Sequence, residues 1–120
     1  MATLSRAHLS GSTDGKPIAL AVDSGTYTTV HTGPTDAAHW IELWLYFSNI
    51  TSAQETVTVA IGGTADANKI KIKVPAQSTV LGVPGWTIQG NSGAAITVTA
   101  ATTTAAAVNC MGHINLIDGS

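Results

Sequence analysis

The stretch from His39 to Phe47 constrains the fold of this chain more than any other part of the sequence. Read at a period of two residues, one face is purely apolar and consists of Ile41, Leu43, Leu45 and Phe47. The other face is aromatic and amphipathic and consists of Trp40, Glu42, Trp44 and Tyr46. Two such faces are typical of a strand inside a sheet. We therefore predict a central strand over residues 39–50, whose amphipathic face is covered by a partner, such as another subunit.

The composition is typical of a β-sandwich or β-barrel. Threonine, alanine, valine, isoleucine and glycine are abundant, whereas the residues that build surface helices are scarce. Charged residues make up only 10% of the 120 residues and the formal net charge is −2, which argues against nucleic-acid binding. Low charge and a positive mean hydropathy favour a protein that packs against its own copies or another protein. The alternative is a neutral, threonine-coated monomer.

The sequence predicts no disulfide, signal peptide or membrane span. Cys110 is the only cysteine, and its apolar surroundings predict a small buried side chain. The N-terminus lacks the apolar core of a signal peptide, and no run approaches the roughly 18 apolar residues that cross a bilayer. We expect synthesis in a cytoplasm and no membrane partner.

Residues 1–15 are rich in serine, threonine and glycine. We interpret them as an extended N-terminal arm, with Leu4 and Leu9 as its few apolar anchors, that becomes ordered only when it lies on a neighbour. A disordered tail is the alternative. Residues 16–120 then form the folded domain.

The folded domain reads as about eight or nine short strands separated by turn signals. The predicted strands are Pro17–Val22, Thr26–Thr32, 39–50, Glu55–Ile61, Lys69–Val74, Thr79–Val83, one that opens at Pro84, Ala95–Ala100 and Val108–Ile117. The run Ala101–Ala107 is predicted as a loop or bulged connection. The fold class is all-β, a two-sheet antiparallel β-sandwich of jelly-roll-like or immunoglobulin-like type.

The strand Lys69–Val74 has the cleanest alternation in the chain, with Lys69, Lys71 and Lys73 on one face. These lysines indicate either a contact to an acidic partner or an edge strand that is protected against edge-to-edge pairing. The second interpretation is better supported by the general behaviour of edge strands.

No residue pattern predicts catalysis, a metal or a cofactor. The four histidines lack metal-ligand spacing. The turn Asp23-Ser24-Gly25 resembles the catalytic turn of small retroviral aspartic proteases, with Val80-Leu81-Gly82 as a candidate second element. Thr26 stands where those proteases usually carry alanine, and the same tripeptide is an ordinary turn.

The aromatic residues Trp40, Trp44, Tyr46 and Trp86 leave a carbohydrate-binding module open, because flat aromatic rows stack on sugar rings. A sugar site usually adds several polar side chains, and on the face predicted for residues 39–47 only Glu42 is of that kind. A subunit contact is therefore favoured.

Several short sequence segments follow one another along the chain: 9–16, Val30-His31-Thr32, 42–46, Ile61-Gly62-Gly63-Thr64, 74–78, Val83-Pro84-Gly85 and Gly112-His113-Ile114-Asn115. In this order the chain resembles, over nearly its whole length, a group of small structural proteins encoded by tailed bacteriophages. None of the segments is a catalytic motif.

The resemblance implies a virion component, a capsid decoration (cement) protein that binds the outer head lattice. Such proteins are commonly β-sandwich trimers, and many clamp the major capsid protein with a terminal arm. The expected contacts are Trp40, Glu42, Trp44 and Tyr46 for self-association, and Leu4, Arg6 and Leu9 for the capsid. A tail, collar or baseplate component is the alternative within the same group.

Overall fold

A computed structural model describes residues 3–119. They form ten strands and one short 3-10 turn at Asp66–Asn68. The strands are β1 (Thr3–His8), β2 (Ile18–Ala19), β3 (Ala21–Val22), β4 (Thr28–Thr32), β5 (His39–Asn49), β6 (Glu55–Ile61), β7 (Lys69–Val74), β8 (Thr79–Gln89), β9 (Thr97–Thr102) and β10 (Val108–Asp118).

The strands form two five-stranded sheets, which confirms the predicted two-sheet sandwich with one or two strands more than predicted. Sheet A has the order β1-β10-β5-β8, with β2 also on β10, and sheet B has the order β3-β9-β6-β7, with β4 also on β9. All pairs are antiparallel except β3 with β9. Most consecutive strands alternate between the sheets, which is the jelly-roll arrangement of the two predicted alternatives.

The strand β5 is central in sheet A, between β10 and β8, as predicted. Its apolar row is buried and packs with side chains of sheet B in one core. Each fully buried side chain of this size stabilises the fold by about 1.5–3 kcal/mol relative to exposure. The core members of the row are Ile41, Leu43, Leu45 and Phe47.

Several predicted strands have other bounds in the structure. Strand β9 covers Thr97–Thr102 instead of Ala95–Ala100 and so includes the start of the predicted loop, and two other differences are larger. The first predicted strand is two short strands in different sheets, because Leu20, only 1% exposed, inserts into the core between them. Conversely, β8 runs without interruption through Pro84. Proline is tolerated there because β8 is an edge strand, and two register shifts against β5 lie beside it.

The N-terminal arm was predicted to become ordered only on a neighbouring protein, but its residues 3–8 pair within the chain. Strand β1 pairs with β10 over six residues, from Thr3 with Asp118 to His8 with His113. Both faces of β1 are exposed, so main-chain hydrogen bonds hold it in place. Leu9, expected to touch the capsid, is 1% exposed and belongs to the core.

Glu55 holds the connection that follows β9, and sequence reasoning missed it. Its carboxylate is buried and accepts hydrogen bonds from the Thr102 and Thr103 hydroxyls and the Thr104 main-chain N–H, at 3.0, 2.8 and 2.9 Å. Burial by itself raises the pKa of Glu55, but these hydrogen bonds together lower it below its ordinary value. The threonine run therefore closes as a turn around a charged acceptor.

Candidate functional site

The outer face of sheet A is the surface that carries the amphipathic row of β5. Directly paired residues of antiparallel strands project to the same side. The register therefore joins the row to three further sets of side chains. These are Ile117, Asn115, His113 and Met111 on β10, Leu4, Arg6 and His8 on β1, and Gln89, Thr87 and Leu81 on β8.

A hydrogen-bonded polar group lies at the centre of this face. Oε1 of Glu42 accepts from Trp44 Nε1 at 2.8 Å and from Asn115 Nδ2 at 3.0 Å. Arg6 Nε donates in turn to Asn115 Oδ1 at 3.3 Å. The hydrogen bond from Trp44, followed by that from Asn115, lowers the pKa of Glu42 below its ordinary value, and the weaker effect of burial opposes it. The carboxylate is thus charged at neutral pH, with its donors on the same face.

The aromatic part of the face is ordered by packing against the neighbouring strands. The rings of Trp44 and His113 are stacked, with centroids 6.0 Å apart and an angle of 11° between their planes. On the other side Gly85, at a φ of +73°, leaves room for the indole: an added Cβ would lie 3.2 Å from Trp44 Cζ2. Burial, and then the nearby Arg6 charge, lower the pKa of His113, while Glu42 acts in the opposite direction. The imidazole is neutral at pH 7.

The four β5 side chains are half-buried, and the most exposed apolar groups lie at the margins of the face. Leu4 is 71% exposed beside Ile117, and Leu81 is 42% exposed beside Tyr46. The face therefore has apolar margins around a polar centre that is ordered by its own hydrogen bonds. Such a mixture of apolar and hydrogen-bonding groups is typical of protein interfaces.

The structure brings together most, but not all, of the predicted contact residues. Trp40, Glu42, Trp44 and Tyr46 share one face, and β1 adds Leu4 and Arg6 to it. The three lysines lie elsewhere, on β7 at the edge of sheet B, where the edge-strand interpretation placed them.

Sequence reasoning missed His113 and Asn115, which flank the β5 row on β10. The signal that could have found them is the alternation of β10, whose even-numbered residues Cys110 and Ile114 are buried. The pairing partner of β10 is not readable from a single strand.

Two other sequence leads do not form a site on this face. Trp86 pairs with Leu43, so it projects on the core side of sheet A, opposite to the other two tryptophans. Asp23 follows β3 in sheet B, whereas Val80-Leu81-Gly82 lies on β8 in sheet A. Cys110 is buried as predicted, and burial raises the pKa of its thiol to about 12.

Residues 3–119 contain no group of three or more histidine, cysteine, aspartate or glutamate side chains placed to hold a metal ion. Over the same residues, no helix has the length and apolar character needed to cross a membrane.

No protein-family model and no curated protein matches this sequence. Among solved structures, the chain is similar to an exo-β-1,3-galactanase from Phanerochaete chrysosporium, crystallised with galactose, with a TM-score of 0.46 and 21% sequence identity. The similarity covers 97% of this chain and 27% of the galactanase chain.

Proposed function

We propose that this chain is a non-enzymatic structural protein of a bacteriophage virion, a capsid decoration protein that self-associates, as a trimer, through the outer face of sheet A. The observation that carries the self-association is the arrangement around Glu42. Trp44 and Asn115 both donate to its Oε1, at 2.8 and 3.0 Å, so these three side chains are ordered on the face before a partner covers it. The virion role rests on the sequence resemblance.

The β8 margin adds apolar area to such an interface through Leu81, which is exposed beside the aromatic row. Leu4 lies at the opposite edge of the sheet, on β1. Aromatic side chains are enriched at the centres of protein interfaces, and leucines at the margins exclude water from them. A rigid sandwich with few charges also suits many copies that bind one lattice together, because each copy then adds to a shared avidity.

The proposed capsid contact is strand β1, with Leu4 and Arg6 as its contact residues. Both faces of β1 are exposed, and its outer edge is the end of sheet A. Main-chain groups at such an edge are available to an extended segment of a neighbouring protein. Leu9 is left out of this contact because it lies in the core.

The self-association is tested by light scattering on the purified chain and on two matched variants, Trp44→Ala and Trp86→Ala. We expect the intact protein and Trp86→Ala to remain trimeric on dilution, and Trp44→Ala to dissociate. Trp86 is the appropriate control because the same side chain is removed from the other side of sheet A. A monomeric intact protein, or a Trp44→Ala trimer that is as stable as the intact one, would contradict the proposal.

The virion role is tested separately, by adding the protein to heads of the phage that encodes it and measuring co-sedimentation. Saturable binding to heads supports decoration, and the variant Leu4→Ser/Arg6→Ser should reduce it. Immunogold labelling of intact particles distinguishes the head from the tail, collar or baseplate. Label found on tails would replace the decoration role with the tail, collar or baseplate alternative.

A further inference from the structure

Two surface grooves meet at Lys69, away from the outer face of sheet A. The Trp86 groove, of about 300 Å³, is lined by Ile61, Ala67, Asn68, Lys69, Ile70 and Trp86. The Tyr27 groove, of about 430 Å³, is lined by Asp23, Gly25, Thr26, Tyr27, Thr64 and Lys69. Each groove thus has one aromatic wall and shares the same ammonium group. Neither is used by the proposed self-association.

Trp86 is the most exposed aromatic side chain that faces the core side of either sheet. It is 51% exposed although Leu43, its partner in the register, is completely buried. The reason is that β8 ends sheet A, so the indole extends over the margin of the core towards Ile61 and Ile70 of sheet B. An indole half in solvent above an apolar floor is a ready surface for stacking.

Lys69 is held in place between the grooves. Its ammonium lies 3.5 Å from Asp66 Oδ1 and 5.9 Å from the centre of the Tyr27 ring. A cation over an aromatic face and beside a carboxylate loses part of its freedom before any ligand arrives. The donor that joins the two grooves is therefore pre-positioned.

The charged groups at this site indicate the class of ligand. Asp23 and Asp66 outnumber Lys69, which disfavours an anionic ligand, and the Lys69 ammonium, which both grooves share, disfavours a cationic one. The remaining polar groups are the Asn68 amide, the Tyr27 hydroxyl and the Thr26 and Thr64 hydroxyls, which both donate and accept. A sugar presents an apolar C–H face for an aromatic ring and a rim of hydroxyls that also donate and accept.

We propose that the paired grooves bind a neutral oligosaccharide of hexose or N-acetylhexosamine units, with one ring on Trp86, another on Tyr27 and Lys69 between them. This inference is independent of the virion role. An extended peptide fits less well, because Pro84 and the register shifts interrupt the β8 edge on which a peptide strand would add.

The test is a set of ¹H–¹⁵N spectra that follow the indole N–H signals of Trp40, Trp44 and Trp86. The probes are maltotetraose, cellotetraose, mannotetraose and the tetramer of N-acetylglucosamine, each titrated to about 10 mM. We expect a saturable shift of the Trp86 signal with at least one probe, while the Trp44 signal stays in place. No saturable shift with any probe overturns the proposal, as does a response confined to Trp40 and Trp44.

Variants locate the binding and keep the test decisive if one of them fails to fold. Trp86→Ala and Tyr27→Ala should each weaken the binding by about tenfold or more. Lys69→Met should weaken it as well, whereas Lys73→Met, on the same strand but outside both grooves, should leave it unchanged. Equal affinities for Lys69→Met and Lys73→Met, or undiminished binding by a folded Trp86→Ala protein, would contradict the assignment.

Discussion

The indole N–H of Trp44 donates a hydrogen bond of 2.8 Å to Glu42, two residues earlier on the same face of β5. The period of two that places both side chains on one face also places them within hydrogen-bond reach. The acid and the aromatic ring therefore form one unit, to which Asn115 adds a second donor from the neighbouring strand.

That unit predicts different results for two substitutions of Glu42. In Glu42→Gln the side-chain oxygen still accepts from Trp44 and Asn115, so we expect the oligomer to persist. In Glu42→Ala both donors lose their acceptor, and the association constant should fall by about tenfold or more. Light scattering over a dilution series measures this. Equal dissociation of both variants would show that the charge, rather than the acceptor, maintains the assembly.

The burial of Leu9 predicts that the start of the chain has two functionally separate parts. Leu9→Ala should lower the free energy of unfolding by about 2–4 kcal/mol, because it leaves a cavity in the core. Leu4→Ala, at an exposed position of β1, should change it by less than about 0.5 kcal/mol. Urea unfolding measures both. A large loss in Leu4→Ala would show that β1 is part of the cooperative core.

The buried carboxylate of Glu55 should contribute strongly to the free energy of unfolding. Glu55→Ala removes the acceptor of the threonine turn and should lower the free energy of unfolding by about 2 kcal/mol or more. Gln54→Ala is the control, since Gln54 precedes Glu55 in the chain and its side chain is exposed. Urea unfolding at pH 7 compares them, and similar midpoints for the two variants would contradict the structural role of the carboxylate.

His31 predicts a loss of stability in weak acid. Burial lowers its folded-state pKa below the ordinary value of 6.5, and its Nδ1 accepts a hydrogen bond of 3.0 Å from the Ser10 main chain. Because the unfolded chain takes up the proton first, the free energy of unfolding should fall as the pH drops below about 6.5. His113, whose pKa is also lowered, acts in the same direction.

Thermal unfolding between pH 7.5 and pH 5.5, in steps of about half a pH unit, measures this dependence. His31→Gln, whose amide oxygen can replace Nδ1 as the acceptor, should remove part of the pH dependence. The double variant His31→Gln/His113→Gln should remove most of it. Glu55 follows at lower pH: its pKa is depressed, so its contribution is present above 4.5 and is lost as the pH falls through the folded value. An unchanged slope in the double variant would contradict the assignment.

The position of Gly112 predicts a large effect of adding a side chain there. A Cβ at this position would lie against the main-chain oxygen of Trp44, and the residue has a φ of +154°. The added methyl group would push the paired main chains of β10 and β5 apart. Gly112→Ala should therefore lower the free energy of unfolding by about 3 kcal/mol or more, or prevent folding. Gly25→Ala, where an added Cβ meets only ordinary contacts, is the control. A stable Gly112→Ala protein with an unchanged unfolding midpoint would contradict this.

Strand identity was readable wherever one face alternates clearly. The strands Glu55–Ile61 and Lys69–Val74 were predicted with their observed bounds, and the central position of β5 followed from its two unlike faces. The edge position of β7 was also predictable, because exposed lysines protect an unpaired edge.

The pairing partners were not readable, and they decide the candidate site. Glu42 and Asn115 are separated by 73 residues, and only the register of β5 with β10 places them 3.0 Å apart. The same register sets His113 beside Trp44. Trp86 was grouped with the other aromatics because its sequence gives no sign of the register shifts that turn it to the opposite side of the sheet.

The sequence by itself determined an all-β sandwich and which side of β5 faces the core. Burial of one face of a strand requires apolar residues at every second position, and this alternation is visible in the sequence. The tertiary structure alone decided that Leu9 belongs to the core, that β1 closes the edge of sheet A, and that Glu55 is enclosed by threonines. These outcomes depend on contacts between residues far apart in the chain, whose geometry no local pattern encodes.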